Sequence, residues 1–251
     1  MKGEKMSLLN VENLKASVEG IVLDGVSFEI DKKGIYAILG KSSEEKNMLA
    51  RVLAGTVEAS DGKIFYKDEE FVGENQIKLK SKIGYMPCKC FLYPDMTVYE
   101  TLDFTGCMRK VSKDKRIRQI KEAIEILELS SVSEVLVKDL NTVERKKLLL
   151  ANALMGNPRV IIFDEPTTGL SPSDSEIICD VISMLKDRKA VILFTDKLSV
   201  ANDMADYIGI ISRGKMVLWS TLDDIRENLD GAQNALSRTF IAFSSESEVI
   251  K

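Results

Sequence analysis

Histidine is absent from this sequence altogether. That removes the commonest general base near neutral pH and the commonest metal ligand. Cysteine is scarce: Cys88, Cys90, Cys107 and Cys179 are too few and too irregularly spaced for a disulfide framework, which favours a reducing compartment. Cys88-Lys89-Cys90 leaves metal binding or oxidation open, but no second ligand pair accompanies it. No apolar run approaches the ~18 residues a membrane span needs. The opening stretch MKGEKMSLLNVENLK is charged throughout and does not read as a signal peptide. A basic excess is missing too: 35 Lys and Arg stand against 39 Asp and Glu, a net charge of −4, so nucleic acid is not an expected partner. These absences predict a soluble protein whose link to a membrane, if any, runs through other subunits.

What is present is a chain of 251 residues, 45% hydrophobic and 29% charged, long enough for a well-buried core. VENLKASVEGIVLDGVSFEI alternates apolar and polar residues and predicts two antiparallel strands. KGIYAILG, SKIGYMP, RVIIFDEP and KAVILFTD are short apolar runs of the kind that form buried strands. NMLARVLAG, SDSEIICDVISMLKDR and SVANDMADY carry helical spacing, and DGKIFYKDEEF and IGIISRGKMVLWS read as hairpins. Strands alternating with helices predict an α/β core with a largely parallel sheet. The expected organisation is one domain over 1–251. Core and antiparallel strands occupy about 1–94 and 156–235, a helical subdomain about 95–155, and a C-terminal helix and tail 236–251.

The stretch between the strand KGIYAILG and the helix NMLARVLAG carries the chemical question. A phosphate loop reads G-x-x-x-x-G-K-[ST] between strand and helix. Here the frame is Gly40-Lys41-Ser42-Ser43-Glu44-Glu45-Lys46-Asn47, followed by Met48. The first glycine and the lysine are in place. A glutamate stands for the second glycine and an asparagine for the hydroxyl residue.

Taken in order from Leu9 to about Phe243, these segments resemble the ATP-binding subunit of an ABC transporter. The strongest piece is RVIIFDEPTTGLSP, which is similar to that family's Walker B motif and the loop after it. TVYETLDF and IISRGKMVLWSTLDDI resemble its helical-subdomain entry and terminal hairpin. The resemblance implies a P-loop NTPase core of ABC type, with an antiparallel β-subdomain and an inserted helical subdomain. It implies ATP and Mg²⁺ as cofactors, a second nucleotide-binding domain as head-to-tail partner, and transmembrane subunits that hold the chain at the inner face of the membrane. It places Gly40 to Met48 on the phosphates, Asn47, Cys88 and Asp164 around Mg²⁺, and Glu165 as the base that polarises the attacking water. It places Asn141, Thr142, Val143 and Glu144 in the signature loop, and Asp196 at the switch position.

The departures run in one direction. Ser43 and Glu45 replace glycines that let a phosphate loop take positive φ. A carboxylate ~4 Å from a phosphate charge costs about 4 kcal/mol at an effective dielectric of 20. The adenine-stacking aromatic falls near Val18, the magnesium-linking glutamine becomes Cys88, and the signature LSGGQ becomes Leu140-Asn-Thr-Val-Glu144. Ser171 replaces the aspartate after Walker B, and Asp196 the switch histidine. Two readings follow. In the first, the chain binds ATP and couples it to transport, in an exporter with separate membrane subunits, with weak or partner-dependent hydrolysis. In the second it is a pseudo-ATPase, a structural or regulatory dimer partner. Tyr85, Phe91, Leu92, Tyr93, Met96 and Tyr99 lie where this family receives a transmembrane coupling helix.

Overall fold

Three strands with almost no polar residue set the architecture. GIYAILG forms β3 (Gly34–Gly40), VIIFD forms β7 (Val160–Asp164) and AVILF forms β8 (Ala190–Phe194), every residue buried. Strands apolar on both faces need cover on both sides. A computed structural model, describing residues 7–245 apart from 68, 90, 230, 231 and 233, shows how each face is covered. These strands lie side by side in a six-stranded sheet with β6 (Ile83–Met86), β9 (Tyr207–Ser212) and β10 (Lys215–Thr221), in the order β10-β9-β3-β8-β7-β6. All pairs are parallel except the β9–β10 hairpin.

Strand periodicity of two then sorts the side chains. Ile35, Ala37, Leu39, Ile161, Phe163, Val191 and Leu193 enter one core with the helices of the central and C-terminal segments. Tyr36, Ile38, Ile162, Ile192 and Phe194 enter a second core. That core is closed by α1 (Ser43–Leu53) and by a four-stranded antiparallel sheet of order β2-β1-β4-β5. Its strands are β1 (Leu9–Val18), β2 (Ile21–Ile30), β4 (Asp61–Tyr66) and β5 (Glu69–Glu70). Trp219 ties the two sheets together: its ring lies 4.7 Å from that of Phe28 and 5.8 Å from that of Tyr36. Gly209 makes this possible, since a Cβ there would sit 2.9 Å from the indole.

The helical segment between β6 and β7 holds α3 (Val98–Met108), α4 (Lys113–Ile126) and α5 (Thr142–Leu154). Thr97 and Glu100 form a capping box at the start of α3, which fixes the entry to this segment. Two sequence expectations change here. The helical subdomain expected over about 95–155 is interrupted at Leu127, because Glu128 turns left-handed (φ 52°) and only short 3-10 turns follow at Ser130–Val132 and Val137–Asp139. Serines there compete for backbone hydrogen bonds and disfavour helix continuation. A helix, α2 (Gly73–Lys80), stands where no element was expected. After β7 come α6 (Pro172–Ser183), α7 (Leu198–Met204), α8 (Leu222–Glu227) and α9 (Ala235–Ser245). The tail at 246–251 lies outside the described residues, as does Cys90. Among the described residues, no helix is long and apolar enough to cross a membrane.

Candidate functional site

Parallel strands deliver their carboxyl ends to one edge, which is where open α/β sheets hold ligands. Here that edge receives Gly40 from β3, Asp164 and Glu165 from β7, and Thr195 and Asp196 from β8. Gly40 is required by packing: a Cβ would lie 2.6 Å from Ile211 Cγ2 and 2.9 Å from the Ile211 carbonyl.

A phosphate loop works by turning successive backbone N–H groups toward an anion before its helix begins. In this chain the helix begins too early for that. α1 starts at Ser43, three residues before Lys46. Ser42 is its N-cap and accepts a hydrogen bond from the Glu45 N–H at 3.1 Å, while the Lys46 N–H donates to the Ser42 carbonyl at 3.3 Å. None of residues 41–48 has a positive φ. The amides of Glu45 and Lys46 are therefore engaged in building the first helical turn. Glu44 and Glu45 sit in that turn, where the helix dipole favours carboxylates. Its own backbone N–H and the Ser42 hydroxyl hold the Glu44 carboxyl below the usual range. Both glutamates line a hollow shared with Ile21, Val22 and Arg213. Lys41 is exposed at the start of the turn, and Met48 is buried in the second core.

Lys46 is 1% exposed, so its ammonium requires partners. It has two. Nζ lies 3.3 Å from Glu165 Oε1 and forms a second ion pair with Asp196. Ser43 Oγ donates to the other Asp196 oxygen at 3.2 Å, which fixes the carboxylate across the mouth of the turn. Burial pulls the Lys46 ammonium below the ordinary lysine range, opposed by the Glu165 and Asp164 charges. Burial also pushes the Glu165 carboxyl up, opposed by Lys46. Glu165 has φ 49°, a left-handed conformation that costs a side chain about 1–2 kcal/mol. Its N–H donates to the Phe194 carbonyl at 3.0 Å, and Thr168 Oγ1 donates to its Oε2 at 3.4 Å.

Asp164 is met by two donors, the Asn47 amide at 2.7 Å and the Cys88 N–H at 3.4 Å. Burial raises its carboxyl above the usual range, and these two bonds and Lys46 oppose the rise. Burial and the Asp164 charge push the Cys88 thiol up, away from thiolate. Among the described residues, no three His, Cys, Asp or Glu side chains converge as a metal-ligand set. Asn47, Cys88 and Asp164 are thus brought together, but bonded to one another. As arranged, these donors do not fit a magnesium triphosphate. The lysine is already paired, the Glu45 and Lys46 amides are engaged and the nearby side chains are anionic.

Asn141, Thr142, Val143 and Glu144 lie elsewhere, at the start of α5, where Asn141 and Glu144 bond each other's backbones in a capping box. Ser171 caps α6, accepting from the Asp174 N–H at 3.2 Å. Val18 ends β1, half-buried against the second core. Sequence reasoning missed three contributors. Thr168 supports Glu165, and its position three residues on in the same loop was the available signal. Lys197 donates to the Thr167 carbonyl and to Ser175, bracing the loop after β7. Lys146, depressed by burial, contributes positive charge toward Cys88 and Glu165. No sequence pattern distinguished it from other lysines of α5.

The comparisons with known proteins agree with this frame. The family model described as ABC transporter matches residues 23–168. A molybdate/tungstate import ATP-binding protein, WtpC of Methanocaldococcus jannaschii, is 32% identical over 84% of this chain and 69% of its own length. A solved ATP-binding subunit of an ABC transporter superposes with a TM-score of 0.81 at 21% identity, covering 94% of this chain and 99% of that one. The dimeric ATP-binding cassette MJ0796, in a post-hydrolysis state bound to ADP and Pi, gives 0.74 at 20% identity over 85% of this chain and 98% of its own. The strand-end carboxylates, the lysine in the first turn of α1 and these matches together make the chain a member of the ABC transporter ATP-binding family.

Proposed function

We propose that this chain is the cassette subunit of a membrane transporter, acting as a structural or regulatory dimer partner whose own phosphate pocket is held shut by its own carboxylates. The observation that carries this reading is the engagement of Lys46 by both Glu165 and Asp196. The charge that would meet a phosphate is already balanced. A docking face for membrane subunits is supported by the exposed side chains of Phe91, Tyr93, Phe104 and Met108, the first 94% exposed, on and just before α3. In this reading, the partner cassette supplies turnover, and the chain sits at the inner face of the membrane through its partners. The direction of transport belongs to the membrane subunits.

A second reading, ATP bound with weak or partner-dependent hydrolysis, is favoured by Glu165 keeping its strained backbone beside Lys46 and Asp164. It requires Asp196, whose side chain is 54% exposed, to swing off Lys46. Equilibrium binding of magnesium-ATP to the purified chain separates the two. The first reading expects no saturable binding at millimolar ATP, and saturable binding overturns it in favour of the second.

A further inference from the structure

The amino ends of the central strands, opposite the Lys46 edge, carry charge of the other sign. Lys33 precedes β3, Arg159 precedes β7, and Arg188 and Lys189 precede β8. All four line one cavity of about 520 Å³ between the sheet and α4. Its other wall is apolar, formed by Ile126, Leu154 and Leu185. A single carboxylate, Glu122, faces in. It pairs with Arg188 at 3.8 Å, and both side chains are about two-thirds exposed, which makes the pair weak.

The other cations lack anionic partners in this cavity. Lys189 donates to Asn157 and to the Pro158 carbonyl, and Lys33 to the Asp187 carbonyl, all uncharged acceptors. Arg159 makes no ion pair among the described residues. Burial depresses the Lys189 ammonium, and Arg159, Arg188 and Lys33 depress it further against Glu122. Arg159 also borders a second hollow of about 350 Å³ with Lys67, Lys82 and Arg109, and no carboxylate among the described residues lines it. On the far side of Lys33 a separate hollow sets Asp31, Asp187 and Asp206 against Lys32, Lys33 and Lys186, so its charges balance. In a chain of net charge −4, this concave, half-apolar place thus sets four cations against one carboxylate.

We propose that this cavity binds an amphiphilic organic anion, its phosphate or carboxylate head on Arg159, Arg188, Lys33 and Lys189 and its apolar body against Ile126, Leu154 and Leu185. Guanidinium forks match the oxygens of both head groups, and the anion relieves the mutual repulsion of the four cations. Nothing in this reading depends on the nucleotide edge. The test is calorimetry of the full chain with octyl phosphate, inorganic phosphate and octanol as probes. Octyl phosphate binds saturably, at least ten-fold tighter than inorganic phosphate. Raising salt weakens it, since exposed cations are screened. The double variant Arg159→Ala/Arg188→Ala, at two exposed positions, weakens it at least ten-fold while keeping the wild-type melting temperature within a few degrees. Equal binding of inorganic phosphate, binding of octanol, or full affinity in the double variant overturns the proposal. Once octyl phosphate binds, phosphatidylglycerol vesicles identify the source. Co-sedimentation lost in the double variant supports a lipid head group, and no co-sedimentation supports a soluble anion.

Discussion

Asp196→Asn is the perturbation that isolates charge from shape at the nucleotide edge. The amide keeps the size of the side chain and can still accept from Ser43, but it no longer balances Lys46. Two carboxylates now share one buried ammonium, and removing one leaves Glu165 alone at 3.3 Å. A unit charge about 4 Å from a phosphate charge is worth about 4 kcal/mol at an effective dielectric of 20. The Asp196 side chain is 54% exposed, so solvent screening reduces this to roughly 1–2 kcal/mol. The account therefore predicts that Asp196→Asn binds ATP roughly 5- to 30-fold more tightly than the wild type. Isothermal titration at low salt reads this as saturable binding that appears in the variant and is absent from the wild type, and the gain shrinks at 0.5 M salt. The matched control is Asp196→Glu, which keeps the charge and gains nothing. Identical affinities for the wild type and Asp196→Asn would refute the reasoning, leaving the early helix start as the sole barrier.

Two further outcomes follow from the same geometry. Asp164 has a carboxyl raised by burial, so its proton is favoured in the fold. The stability this confers is present below the ordinary carboxylate range and is lost as pH rises through the raised value. Asp164→Asn has no such loss, so its urea midpoint gains on the wild type between pH 4 and pH 7; a constant difference would contradict the assignment. Asn141→Ala removes the N-cap of α5 and lowers stability by about 1 kcal/mol. Chemical denaturation checks this, and an unchanged midpoint would mean that the capping box does not hold in solution.

The sheet was legible because its strands are apolar on both faces. GIYAILG, VIIFD and AVILF admit no surface exposure, and their alternation with helices dictates a parallel core. The six expected strand-end and loop residues Gly40, Lys46, Asn47, Asp164, Glu165 and Asp196 stand on one edge for the same reason. Local elements governed by weak preferences were harder to read. Gly73–Lys80 has little apolar periodicity, and its helix depends on packing of Leu79 into the second core. The ion pair between Lys46 and Asp196 joins residues 150 positions apart. As an aspartate, Asp196 repels phosphate, which is only half of its chemistry. Sequence gave its sign but not the lysine it would meet. The early start of α1 was likewise hidden, although Ser42 as cap with glutamates after it is a helix-start signal.

The central claim, that the chain's own carboxylates occupy the role of the phosphates, is tested most directly by equilibrium binding of magnesium-ATP to the wild-type chain, read by calorimetry and by thermal shift. The account predicts no saturable heat and no stabilisation at millimolar nucleotide. Stoichiometric binding at micromolar concentration, with the melting temperature rising accordingly, would contradict it.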